Sequence, residues 1–339
     1  MSTVYDPHDA PTRDPVAYLY RKALLQPPQV VPLSGGVSGE TLLVEAAPAR
    51  LVLKRALSRL LVAGDWTAKP ERAMTEAAAL ELLHGLTPEY TPQLVHADRE
   101  QHTIVMTAAP ADWLPWKTVL LGEEPDPTHG TAATAEVLGT VLGTWQDRTW
   151  EAPQVAARFD DYEALDQLRL SPYHGAVAAA HPQVAERVVD LSAELRSRRD
   201  CLVHGDFSPK NVLVGPDGLM VIDFEVAHAG AAVFDLAFLQ CHLALKAMHL
   251  PHRAPEFAAA AEHFLHAHRA VLTSGRRPPV ERTGWHTACL LLARVDGLSP
   301  AGYLRPATAA AVRALALDLL RADDPAIEEV WAKIMESAC

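Results

Sequence analysis

The chain has 339 residues, 49% of them hydrophobic and 21% charged, and a formal net charge of −12. That much apolar material fills one large folded unit or two modest ones and excludes a disordered chain. The acidic balance excludes a general nucleic-acid binder, which needs a basic face, and no apolar run reaches the roughly 18 residues of a membrane span. Residues 1–15 lack the apolar stretch of a signal peptide. The four cysteines, at 201, 241, 289 and 339, form neither C-x-x-C nor a zinc spacing. Both features point to a reducing cytoplasm.

In chain order, an N-terminal extension over 1–29 contains a helix predicted at 15–25. Strands follow at 30–33, 41–47 and 50–56, the last two joined as a hairpin at Ala47-Pro48-Ala49. Ala73, Ala77, Leu80 and Leu83 recur near helical period and predict a helix over 70–83. Strands at 93–97 and 103–107 complete a sheet-rich unit, 30–108, with the makeup of a small nucleotide-binding lobe. Ala109-Pro110-Ala111 reads as a hinge into a mostly helical unit, 109–339. Its helices are predicted at 131–147, 160–168, 182–196, 233–250, 255–273, 279–296 and 307–321. Gly139 and Gly143 lie in one helix, where each costs about 1 kcal/mol against Ala; close approach of another backbone is the expected compensation.

The most specific pattern interrupts the helices. Leu202-Val-His-Gly-Asp-Phe-Ser-Pro-Lys-Asn-Val-Leu-Val214 is followed by Leu219-Met-Val-Ile-Asp-Phe-Glu225. Asn211 stands five residues after Asp206, and Asp223 twelve after Asn211, which is the order of a phosphoryl-transfer loop. An alcohol attacking phosphorus needs a carboxylate to orient it and take its proton, and Asp206 suits that role. Asn211 and Asp223 offer the hard oxygens that Mg²⁺ prefers. Two short strands joined by Gly215-Pro-Asp-Gly218 return Asp223 towards Asn211.

For the nucleotide, Ser34-Gly-Gly-Val-Ser-Gly-Glu40 supplies Gly35, Gly36 and Ser38 as candidate phosphate contacts. Lys54, on a strand, is the candidate for the α/β-phosphates. Glu76 is the preferred carboxylate to hold it, with Glu81 and then Glu71 as competitors. Met106, Thr107 and Ala108 form the connector against which adenine would dock. Candidate acceptor contacts are Asp160, Asp161, Glu163 and Asp166, with Arg294 and Asp296. An acidic cluster suits an amine-bearing acceptor, although acids at a helix start also offset its dipole, and Arg294 and Asp296 can equally form a structural pair. Lys210 either neutralises phosphate or sits in solvent. No aromatic cage is visible.

On His204-Gly-Asp206, Asn211, Ile222-Asp-Phe-Glu225 and Asp235 within Phe234-Asp-Leu-Ala-Phe238, the chain resembles the aminoglycoside phosphotransferase and choline kinase-like superfamily. Trp116–Glu123, Leu168–Tyr173 and Ala293–Pro300 resemble a subgroup without an assigned substrate. The resemblance implies an α+β, bilobal protein-kinase-like fold, with a small antiparallel-sheet N-lobe and a larger, mainly helical C-lobe. It implies ATP (or GTP) and Mg²⁺ in the cleft, Asp206 as base, and Asn211 and Asp223 on the metal. His204 would brace the loop, and Asp235 would tie its helix to the loop amides. The acceptor would be a small-molecule hydroxyl of an aminoglycoside, a choline-like amino alcohol or a sugar-like compound. The alternative is a nucleotide-binding pseudokinase acting as scaffold or regulator. Departures are Gly205 for the protein-kinase Arg, Glu225 for the D-F-G glycine, Leu298 for a Lys and Trp145 for a His; none touches the base or metal positions.

Overall fold

A computed structural model describes residues 29–33, 39–46, 49–57, 68–124, 126–273 and 282–338. The helix predicted at 15–25, and Gly35, Gly36 and Ser38, lie outside the described residues. Strands β1 (Gln29–Pro32), β2 (Gly39–Ala46), β3 (Ala49–Ala56), β4 (Leu94–Asp98) and β5 (Thr103–Thr107) form one antiparallel sheet in the order β1-β2-β3-β5-β4. Strand alternation gives its faces different tasks. Leu51 and Leu53 join Leu42, Val44 and Val105 in a small core of their own. Val52 points the other way, into the main core with Ile104 and Met106. Lys54 shares that second face, which helix α1 (Arg72–His84) covers with Ala73, Ala77, Leu80 and Leu83.

After β6 (Leu114–Pro115) the chain is helical: α2 (Trp116–Leu121), α3 (Thr131–Arg148), α4 (Ala185–Ser197), α5 (Val233–His249), α6 (Ala254–Ala270), α7 (Thr283–Asp296), α8 (Pro306–Arg321) and α9 (Ile327–Ala338). The result is the bilobal α+β arrangement that the resemblance implied. Helix α5 is the axis of the large lobe, contacting α6, α7, α8 and α9. The close approach inferred from the two glycines is present between α3 and α6. A Cβ at Gly139 would lie 2.2 Å from the Phe264 carbonyl oxygen, and one at Gly143 would lie 2.7 Å from that of His268.

Several elements depart from those predicted, among them the helices Pro153–Arg158 and Ala176–Ala180, which were not foreseen. The helix expected at 160–168 begins at Glu163 and widens into a π-helix over Asp166–Gly175. Pro172, inside it, lacks an N–H and collides with the carbonyl of an α-turn, which favours the wider winding. Helices α2 and α9 were not foreseen. The short strand β7 (Cys201–Val203) pairs with β10 (His228–Gly230), bracketing the segment from His204 to Ala227. Between them β8 (Val212–Gly215) and β9 (Gly218–Val221) form the expected hairpin. No helix among the described residues is long and apolar enough to cross a membrane.

Candidate active site

Two strand ends and one helix start converge on Asp206. The chain leaves β7 through His204 and turns at Gly205, which has φ +78° and where a Cβ would lie 2.5 Å from the Val226 carbonyl oxygen. Only glycine fits that turn without strain. Asp235, in the first turn of α5, accepts the His204 amide at 2.7 Å and the Gly205 amide at 3.0 Å. Burial pushes its carboxyl up to about 7, against the pull of those two amides. His204 Nδ1 accepts the Asp206 amide at 3.1 Å, so its Nε2 is the donor to the Ile222 carbonyl at 3.2 Å. Burial moves His204 down to about 4 and keeps it neutral.

Asp206 is itself held by two cations. Arg169 Nη2 and Lys210 Nζ each stand 2.8 Å from its Oδ2. Its Oδ1 has only a 3.5 Å contact from the Ser208 hydroxyl. Burial would raise the carboxyl, but Arg169 and then Lys210 outweigh it and hold Asp206 ionised. Arg169 was not anticipated. It sits in the π-helix, donates to the Gly205 carbonyl at 2.7 Å, and so brings a guanidinium to Asp206 although Gly205 precedes that residue in the chain. No local pattern announced it, because its partners lie 36 residues away.

Asn211 donates through Nδ2 to the Asp206 carbonyl at 3.0 Å, while its own carbonyl accepts the Ile222 amide at 2.9 Å. This locks the loop to the start of the Asp223 segment. Asp223 has φ +73°. Its Oδ1 receives Lys54 Nζ at 2.6 Å, and the same ammonium lies 2.8 Å from both Glu76 oxygens. Burial opposes the Lys54 charge, but Asp223 and Glu76 prevail and raise its pKa. The Asp223 carboxyl is held far below the usual range by Lys54 and Lys210, against the effect of burial. Glu76, 2% exposed, is pushed up to about 7 by burial against the pull of Lys54. Its competitor Glu81 pairs instead with Arg158 on the surface, and Glu71 forms the N-terminal boundary of α1.

Other expected contacts are arranged differently. The Thr107 amide bonds the Gln93 carbonyl at 3.0 Å and the Ala108 amide the Arg50 carbonyl at 3.0 Å. Met106 pairs within the sheet with Val52 and Leu94. The connector donors at 107 and 108 that adenine was expected to use are therefore engaged in the protein's own backbone. The expected acidic acceptor cluster is dispersed. Asp160 and Asp161 are exposed, and Asp161 accepts the Glu163 amide at 2.9 Å. Glu163 pairs with Lys69, and Asp166 with Arg196 at 2.7 Å. Arg294 does not pair with Asp296: it bonds Ser299 and, at 3.3 Å, the Tyr173 hydroxyl. Asp296 takes Arg313 at 2.6 Å and His181 at 2.8 Å.

Among the described residues no three His, Cys, Asp or Glu converge as a self-sufficient metal site. A Mg²⁺ shared with phosphates needs only one or two protein ligands. The Asn211 amide, anchored through its nitrogen, and the Asp223 carboxylate provide the oxygens such an ion requires.

A sheet lobe and a helical lobe, with a lysine–glutamate pair bound to one loop aspartate and a second aspartate in a glycine-led turn, make up a kinase-like fold. Residues 29–277 match the model of the phosphotransferase enzyme family, and the chain belongs to that family. It is 30% identical over 214 residues to methylthioribose kinase 1 of Oryza sativa subsp. japonica, covering 56% of this chain and 50% of that one. It is 25% identical over 226 residues to a methylthioribose kinase of Exiguobacterium sibiricum, covering 59% and 57%. The chain thus spans about half the length of these relatives. Among solved structures, an amicoumacin kinase in complex with AMP-PNP and Ca²⁺ superposes with a TM-score of 0.57 at 16% identity, over 91% of this chain and 93% of that one.

Proposed function

We propose that the protein transfers the γ-phosphate of ATP to a hydroxyl of a small molecule, with Mg²⁺. The observation that carries this reading is the bridge made by Lys54 between Glu76 and Asp223, in a loop that also binds Asn211 to Asp206. Lys54 is the phosphate-binding cation, set by Glu76 on α1. Asn211 and Asp223 would hold the Mg²⁺, which when bound would supply positive charge against the phosphates. Asp206 orients the acceptor hydroxyl through its less encumbered Oδ1 and takes the proton late in a loose transition state. Arg169 keeps that carboxylate ionised and aimed. Lys210, half-exposed beside it, is placed to meet the moving phosphoryl group. Gly35, Gly36 and Ser38 would cover the phosphates, and Met106 and Ala108 would border the adenine.

The methylthioribose kinase relatives favour a sugar-like acceptor over other alcohols. We place the division between the nucleotide lobe, 30–108, and the helical lobe, 109–339, with 1–29 as an extension. The acceptor is a small molecule rather than a nucleic acid or a membrane. Cys201, Cys241 and Cys289 are buried, unbridged thiols, which suits the cytoplasm. The test is Mg²⁺-dependent ADP release across a panel of sugars, amino alcohols and aminoglycosides, with Asp206→Asn as control. Turnover in the native chain that the variant retains sinks the assignment of Asp206, and Mg–ATP that fails to bind sinks the reading as a whole.

A further inference from the structure

Lys246 lies on α5 and is 0% exposed. Its ammonium donates to the His242 carbonyl at 3.3 Å and stands 5.7 Å from the Tyr303 ring centroid. Among the described residues, the groups acting on its charge are Lys117, Arg294 and the Cys241 thiol. His242, one turn earlier, is held well below its ordinary range by burial, then by the charges of Lys246, Arg294, Lys210 and Lys117. No carboxylate is among them: Asp206 is taken by Arg169 and Lys210, and Asp296 by Arg313 and His181. Arg294 Nε and the Tyr303 hydroxyl are buried with no hydrogen-bond partner.

A lysine is almost never fully buried unless paired, and a buried cation without a counter-charge is costly. Burial, then Lys117 and Arg294, push the Lys246 ammonium down to about 7. The arrangement is intelligible if the counter-charge comes from outside. The cluster is continuous with the catalytic loop. Arg169, which holds Asp206, lies 5.7 Å over the Phe238 ring, and that ring is 5.2 Å from His242. Arg294 bonds the Tyr173 hydroxyl, and the Tyr173 ring stacks on Phe238 with centroids 6.2 Å apart. Helix α2, carrying Lys117, packs on the turn Pro209–Asn211.

Resting on the phosphotransferase reading, we propose that the acceptor carries a carboxylate or phosphate group besides its reacting hydroxyl, bound by Lys246, His242, Arg294 and Lys117. Guanidinium and ammonium groups are the usual recognisers of such oxyanions. The acceptor end therefore selects against the cationic compounds that an acidic cluster would have favoured.

The experiment follows thermal unfolding of the full chain, with and without Mg–AMP-PNP, at constant ionic strength. The probes are glycerate, glycerol 3-phosphate, glycerol and ethanolamine. A saturable rise in Tm with glycerate or glycerol 3-phosphate, and none with glycerol or ethanolamine, is expected, because a ligand stabilises only the state it binds. Which of the two anions responds separates carboxylate from phosphate. Lys246→Met should abolish the response while melting, without ligand, at or above the native temperature, since it removes an unpaired buried charge. Arg294→Met, which should weaken the response at least ~10-fold, serves if that variant does not fold. Three results overturn the proposal: no anion shifts the native chain, the anions shift both variants as they shift the native chain, or the neutral or cationic probe is preferred. A native chain that binds no Mg–AMP-PNP instead overturns the phosphotransferase reading, and the nucleotide-free titration still decides this one.

Discussion

Lys54 and Lys246 are both lysines withdrawn from water, yet their surroundings are opposite. Lys54 has two carboxylates within 2.8 Å, while no carboxylate among the described residues pairs with Lys246, whose ammonium is pushed down by burial, then by Lys117 and Arg294. The first arrangement is complete without any ligand and joins α1 to the Asp223 loop, so it positions as well as binds. The second is complete only when an anion enters. A site that must hold its shape before the nucleotide arrives uses internal pairs. A site that must discriminate leaves its charge unanswered.

The largest effect separating the two ends should come from the loop between them. Asp206→Asn should lower turnover at least ~10²-fold, measured as single-turnover ADP release. Native turnover in that variant would return Asp206 to a structural role. Asp223→Ala should weaken nucleotide binding at least ~10-fold in Mg²⁺ and erase the difference between titrations with and without the ion; a surviving difference removes Asp223 from the metal site. The same substitution at the two lysines should act with opposite sign. Lys54→Met strands the buried Glu76 and the half-buried Asp223 and should cost about 3 kcal/mol in urea unfolding, whereas Lys246→Met should cost nothing. Equal losses erase the contrast.

Acid should also discriminate. His174 is held down to about 3, and His204, His228 and His268 to about 4, chiefly by burial. A depressed histidine contributes stability that is present above its unfolded value near 6.5 and lost as pH falls through the folded value. Glu76 and Asp235, both raised to about 7, act the other way, since their protonated forms are favoured in the fold. At pH 5 these six groups together should therefore leave about two more protons on the unfolded chain than on the folded one, and the buried His242 and His286, also lowered, add to that difference. Stability in urea should fall between pH 7 and pH 5; a flat profile means those histidines are solvated. The smallest effect is expected at Glu81→Gln, whose half-exposed pair with Arg158 contributes at most about 1 kcal/mol. Turnover should not change, while Glu76→Gln should reduce it.

Much of this was legible in the residues because local chemistry carries it. The β8–β9 hairpin follows from two apolar runs around Gly-Pro-Asp-Gly, and the inward direction of Lys54 from strand alternation with Val52. The glycines of α3 announced the backbone of α6 by their cost alone. Helix α9 was readable and overlooked: Ile327, Val330 and Ile334 recur at helical spacing and are all buried. What could not be read was long-range pairing. Asp296 meets Arg313 rather than Arg294, and Glu163 and Asp166 meet the surface cations Lys69 and Arg196, because composition does not say which partner the fold brings close. Arg169 and Lys246 were invisible for the same reason. A lysine in an apolar helix signals function only once its neighbours are known.

Glu225 has one further consequence. Arg72 grips its carboxylate at 3.0 Å and also donates to the carbonyls of Leu57, Ala68 and Lys69. Phe224, just before it, is fully buried between Trp145 and His204. In protein kinases this triplet ends in glycine, and the packing of its Phe separates active from inactive forms. Here the corresponding hinge is bolted shut from the neighbouring lobe. Cutting that tie with Arg72→Met should therefore loosen Phe224 and lower stability in urea unfolding.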